Sequence, residues 1–82
     1  MNELKLSPLE VITDFFKSEK KIADITPDTD LFAGGYVNSL FALEMVVFLE
    51  KKFGIKIPRK EINKANFTTP AKMAELVGRL TK

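Results

Sequence analysis

Three observations predict an all-α fold for this chain. Two helix starts are marked by a capping residue followed by proline, at Ser7-Pro8 and Thr69-Pro70. Apolar residues recur at helical spacing over three separate stretches, and a pair of glycines, Gly34 and Gly35, precedes the longest of them. The expectation is a small four-helix bundle in one domain over residues 1–82: three main helices, one short helix and a long first loop.

The first six residues read as a frayed terminus. Ser7-Pro8-Leu9-Glu10 then forms a capping box, and Leu9, Val11, Ile12, Phe15 and Phe16 supply the core stripe of a first helix from about 8 to 18. Lys20 to Val37 is a long connection in which Ile22, Ile25, Leu31 and Phe32 offer apolar anchors. A second helix spans Ser39 to Phe53, with Ala42, Met45, Val46, Leu49 and Phe53 on its core side and Leu40 and Leu43 flanking them. Gly54 ends it, with Lys51 and Lys52 in the last turn where cations suit the helix dipole. Ile57-Pro58 is extended, Arg59 to Lys64 makes one helical turn, and Phe67 anchors a loop to the core. The last helix follows Thr69-Pro70, with Met73, Ala74, Leu76, Val77 and Leu80 inward.

The chemistry concentrates where the loop meets the second helix. Asn38 is a preferred N-cap, and Ser39 falls in the first turn, exposed, where unpaired N–H groups and the positive end of the helix dipole favour a phosphate. Taken by itself, a first-turn serine is usually only a cap or a solvated residue. The outer side of the same helix reads as Phe41, Glu44, Val47, Phe48 and Lys51. Its apolar members form either a partner-docking patch or one more buried face of a small bundle.

Composition narrows the function. There is no cysteine and no histidine, which excludes disulfides, Cys/His zinc sites, thiol nucleophiles and imidazole-based triads. No catalytic residue is assigned, so either the chain is not an enzyme or its reactive group is added later. Asp24, Asp28 and Asp30 lack the spacing, glycine and closing glutamate of a calcium loop, so no metal site is expected. No apolar run is long enough to span a membrane and no leader pattern is present, which points to the cytoplasm, and nothing in the sequence demands more than a monomer. Residues 1–50 hold four Lys/Arg against nine Asp/Glu, and residues 51–82 hold nine against two. The basic part lacks the residues for base readout and interleaved aromatics, so nucleic acid is not the expected partner.

Asp30-Leu31-Phe32, Gly35-Tyr36-Val37-Asn38-Ser39-Leu40, Leu49-Glu50-Lys51-Lys52-Phe53-Gly54-Ile55, Ile57-Pro58 and Phe67-Thr68-Thr69-Pro70 together resemble the acyl, aminoacyl and peptidyl carrier proteins. The resemblance covers nearly the whole chain. It implies 4′-phosphopantetheine on the serine of a D-S-L/M motif, matched here by Ser39 between Asn38 and Leu40, and transferred from coenzyme A by a phosphopantetheinyl transferase. An acyl or aminoacyl group would ride on that arm as a thioester, placed there by an acyl-loading or adenylating enzyme and passed to tailoring enzymes, an acyltransferase or a synthase. Docking would use Val37, Phe41, Glu44, Val47, Phe48 and Lys51, with Leu40 and Leu43 supporting the base of the arm.

Two departures stand out: Asn38 replaces the family's usual Asp, and the second helix with the basic C-terminal half is unlike the acidic helices of fatty-acid carriers. Within the family, Asn38-Ser39-Leu40-Phe41-Ala42-Leu43 and Val46-Val47-Phe48-Leu49-Glu50 resemble discrete carriers of methoxymalonyl- or aminomalonyl-type polyketide extender units. The segment from Ile57-Pro58 to Thr69-Pro70 is also similar to D-alanyl carriers of teichoic-acid modification. A helical adaptor that binds its partner unmodified is the alternative of a different class.

Overall fold

The computed structural model describes residues 7–81, apart from the side chain of Ser39. The expectation of a frayed terminus over residues 1–6, and that of an exposed Ser39 hydroxyl, lie outside what is described. The architecture is all-helical: α1 is Pro8–Glu19, α2 is Ser39–Phe53, α3 is the single turn Lys64–Phe67, and α4 is Pro70–Leu80. A 3-10 turn, Arg59–Glu61, precedes α3.

Each helix begins where the sequence places a cap. Ser7 and Glu10 form a reciprocal box: the Glu10 N–H donates to Ser7 Oγ at 3.2 Å and the Ser7 N–H to Glu10 Oε1 at 2.9 Å. Thr69 Oγ1 accepts the Lys72 N–H at 3.0 Å to start α4 behind Pro70. Gly54, at φ 64°, ends α2 in the left-handed conformation that glycine adopts without steric cost.

Helices α1 and α2 run antiparallel, since Phe15 stacks on Phe48 at 4.5 Å between ring centroids while Phe16, Lys20 and the start of α2 meet at the other end. Both α1 and α3 pack on α4. The buried core draws on every main segment: Ile12 and Phe16 from α1, Phe41, Met45 and Leu49 from α2, Phe67 from α3, and Met73, Leu76 and Val77 from α4. Among the described residues no polar or charged residue is buried, so the interior needs no internal hydrogen-bond network.

The first loop belongs to this core. Ile22, Ile25 and Leu31 are buried and Phe32 is half-buried. Two backbone bonds tie the loop to the other end of the chain: the Leu31 N–H donates to the Thr68 carbonyl at 2.8 Å and the Ala71 N–H to the Pro27 carbonyl at 3.0 Å. Among the described residues no group of acids gathers that could hold a metal ion; Asp30 instead accepts the Ala33 N–H at 2.9 Å and closes a turn.

Three expectations need correction. Phe41, expected on the outer side of α2, is buried, because its ring packs against both Phe15 and Phe16 of α1. Phe48 is half-buried against Phe15 for the same reason. The core side of α2 is consequently turned toward Phe41, leaving Ala42, Val46 and Phe53 only half-buried and Leu40 and Leu43 exposed. Finally, the stretch around Phe67 is not a loop: Asn63 Oδ1 accepts the Asn66 N–H at 2.9 Å and starts the extra turn α3, which carries Phe67 inward.

At the end of α1, Lys21 takes a positive φ of 59° so that the Ile22 N–H can reach the Phe16 carbonyl at 3.1 Å. A side chain in this left-handed region costs about 1–2 kcal/mol relative to ordinary backbone, partly offset for glycine by the entropy of its freer unfolded chain. Lys21→Gly is therefore expected to stabilise the fold by about 0.5–1 kcal/mol in urea titration, with Lys21→Ala near neutral. A Lys21→Gly protein less stable than the parent would contradict this account of the helix end.

Candidate functional site

The start of α2 is set by a tight winding of the chain just ahead of it. The Leu31 carbonyl accepts two N–H groups, from Tyr36 at 3.0 Å and Val37 at 3.2 Å, while the Gly34 N–H donates to the Asp30 carbonyl at 2.9 Å. Gly35 sits at φ 77°, where a side chain would strain the backbone. Gly34 serves a different purpose: a Cβ there would lie 2.7 Å from Tyr36 Cε2, so its bare backbone makes room for the tyrosine ring. This winding delivers Asn38 to the helix start in extended conformation, at φ −133° and ψ −175°.

Asn38 then caps α2, its Oδ1 accepting the Phe41 N–H at 3.0 Å. Ser39 is the first helical residue. The N–H groups of Ser39 and Leu40 open the helix and have no carbonyl one turn behind them to bond, so they stand at the positive end of the dipole. No acidic residue occupies the first turn, and the cap itself is neutral. The nearest acid in sequence, Glu44, is drawn to Lys20, whose Nζ lies 3.7 Å from Glu44 Oε1 and 4.5 Å from the centre of the Phe41 ring. A phosphate at this helix start would meet backbone donors and no nearby carboxylate repulsion from the first turn. The helix start is therefore suited to a phosphodiester.

Two surface pockets adjoin the helix start. One, of about 220 Å³, is lined by Lys20, Tyr36, Val37, Asn38, Leu40, Phe41 and Glu44. The other, of about 150 Å³, lies one turn along between α2 and the lead-in to α3, lined by Phe32, Ala42, Leu43, Ile62, Asn63 and Lys64.

The residues expected to dock partners do not share one face. Glu44, Val47 and Lys51 are exposed, Val37 is half-buried beside the helix start, and Phe41 and Phe48 turn inward against α1. The apolar side chains that do reach solvent on α2 are Leu40, Leu43 and Val47, at 70%, 54% and 54% exposure, with Tyr36 beside them at 46%. Leu43 and Tyr36 were not among the expected docking residues. The signal for Leu43 is present in the sequence, since 40, 43 and 47 follow one helical face once Phe41, Met45 and Leu49 are taken as the inward one.

Comparison with known proteins agrees with this geometry. The family described as phosphopantetheine attachment site matches residues 9–77. The chain is 31% identical over 78 residues to a D-alanyl carrier protein of Streptococcus sanguinis (strain SK36), covering 95% of each, and equally to D-alanyl carrier proteins of Streptococcus thermophilus strains. It is also 41% identical over 58 residues to the lincomycin biosynthesis protein LmbN of Streptomyces lincolnensis, a match spanning 71% of this chain and 21% of that protein. The chain therefore belongs to the phosphopantetheine attachment-site family, whose members are non-catalytic carriers holding 4′-phosphopantetheine covalently.

Proposed function

We propose that Ser39 carries the 4′-phosphopantetheine arm, and that this protein is a discrete acyl carrier presenting an acyl or aminoacyl thioester to partner enzymes in the making of polyketide or nonribosomal-peptide extender units. The observation that carries the site is the position of Ser39 as the first residue of α2, directly after the capping Asn38, where the unpaired N–H groups of the helix start stand. The arm supplies the thiol that this cysteine-free chain lacks, and with it the thioester. The chain's own part is to present that thioester. Asn38 fixes where the helix begins, Leu40 stands next to the attachment point, and Leu43, Val47 and Lys51 continue the outward face. Holding the cargo on a tether raises its local concentration at whichever enzyme is docked. The partners in this reading are a phosphopantetheinyl transferase, a loading or adenylating enzyme and downstream tailoring or acyl-transfer enzymes, all meeting the carrier in the cytoplasm.

The extender-unit role draws support from the Asn38-Ser39-Leu40-Phe41 run and from the 41% identity to LmbN, a protein of lincomycin biosynthesis. A second reading, D-alanyl transfer, is favoured by the match to D-alanyl carriers over 95% of both chains. The cargo separates them: alanine released from the thioester of protein taken from its own cells supports the second, and a malonyl-type acid the first.

Incubation with coenzyme A and a broad-specificity transferase is expected to add one phosphopantetheine by intact mass, with none in Ser39→Ala. No addition with several transferases, or addition that survives the substitution, would overturn the assignment, the second outcome also leaving Ser39 as a plain helix residue. Asn38 is expected to govern how fast a general transferase acts. Asn38→Asp keeps the cap and restores the carboxylate usual before the serine, so its modification rate should rise by about 3- to 10-fold, equivalent to roughly 1 kcal/mol of transition-state binding. An unchanged rate would show that the transferase does not read this side chain, and a slower one that it reads it in the opposite sense; either would contradict the expectation.

A further inference from the structure

We propose that the partners of this carrier meet α2 with an acidic surface around an apolar centre, a reading that rests on the carrier function above. The centre of the face is the aliphatic stripe Leu40, Leu43 and Val47, and Lys51 follows at the same helical spacing. Beyond Gly54 the chain doubles back along α2. The Ile57 N–H donates to Glu50 Oε2 at 2.9 Å, and Ile62, Asn63 and Lys64 share a pocket with Ala42 and Leu43. The segment between those two anchors therefore runs beside the stripe and places Arg59 and Lys60, both exposed, along its flank, with exposed Lys56 just ahead of the first anchor.

Each carboxylate of the same region has a partner within the molecule, although the Glu44 pair is an exposed surface contact. Glu44 faces Lys20 at 3.7 Å, Glu50 accepts the Ile57 N–H, and Glu61 accepts from Asn66 Nδ2 at 3.0 Å and pairs with Arg79 at 3.4 Å. On the flank of the stripe away from α1 the exposed charges are positive: Lys51, Lys56, Arg59 and Lys60. The acids Glu19 and Glu44 border Val47 on the opposite, α1 side, and Asp14, Asp24 and Asp28 lie farther round on α1 and the first loop. Complementary charge speeds encounter and rejects partners of like sign, so an enzyme whose carrier-binding patch is basic is a poor match here and one with Asp and Glu around a leucine or phenylalanine is a good one. A protein fits this face better than a lipid surface does. The large apolar residues of α2, Phe41, Met45 and Leu49, are buried in the bundle, so the surface of the helix offers only a short aliphatic stripe, and interfacial binding strengthens with the apolar area buried.

The test uses the isotope-labelled holo protein, its arm first verified by intact mass. If no arm can be attached, the carrier reading fails; if the arm is present, only the docking inference is at stake. Two amphipathic helical peptides are compared, sharing a leucine face and flanked in one by glutamates and in the other by lysines. The glutamate peptide is expected to bind about 10-fold more tightly at low salt, to lose that advantage as salt rises, and to shift the amides of residues 40–51 and 56–64. The double substitution Arg59→Glu and Lys60→Glu should abolish or reverse the preference while leaving the circular dichroism unchanged. Equal or tighter binding of the lysine peptide, shifts centred on α1, or a charge-reversed variant that still prefers glutamate would overturn the inference. So would sedimentation with phosphatidylglycerol vesicles by a protein that ignores both peptides.

Discussion

The packing of Phe41 against Phe15 and Phe16 sets the rotation of α2, and the rest of the site depends on that rotation. The Phe16 and Phe41 rings lie 5.5 Å apart and those of Phe15 and Phe48 4.5 Å, a cluster that grips one side of α2 along two turns. Burying an aromatic ring of this size contributes about 1.5–3 kcal/mol, and each well-oriented aromatic pair roughly 0.5–1.5 kcal/mol more. With Phe41, Met45 and Leu49 held inward, helical geometry leaves Leu40, Leu43 and Val47 no choice but to face solvent. An apolar outward stripe is thus a consequence of how the core is filled, and it costs the fold little because the core is complete without it.

The loop ahead of α2 serves the same end from the other direction. A connection from Lys20 to Asn38 would be mobile if only its ends were held, but Ile22, Ile25 and Leu31 are sunk in the core and the Leu31 carbonyl collects two N–H groups just before the helix. The start of α2 is therefore held from both sides, by the buried aromatic cluster behind it and by the pinned loop in front. A carrier needs that combination: the attachment point must be found in one place by several different enzymes, while mobility belongs to the tether and not to the backbone.

Much of this was legible in the sequence, and the parts that were not have a physical explanation. Helix starts at Ser7, Asn38 and Thr69 were visible because caps act locally, through a side chain and an N–H three residues on. The span of α2 was readable from its periodicity and from Gly54. Its rotation was not, because Leu40, Phe41, Ala42 and Leu43 are all apolar, and a helix with apolar residues around most of its girth does not announce which side faces the core. Only the tertiary contact with Phe15 and Phe16 decides it. The turn α3 was missed because a single helical turn carries too few residues for periodicity, although Asn63 had the right chemistry to start one.

Chemistry in this protein is divided between a chain that positions and an attached group that reacts, which makes the place of attachment the central claim. It is tested most directly by isolating the protein from its own cells, digesting it and locating the phosphopantetheine by fragmentation mass spectrometry. The account predicts the arm on Ser39 and on no other hydroxyl. A Ser39 peptide recovered wholly unmodified, or the arm on a different serine or threonine, would contradict it.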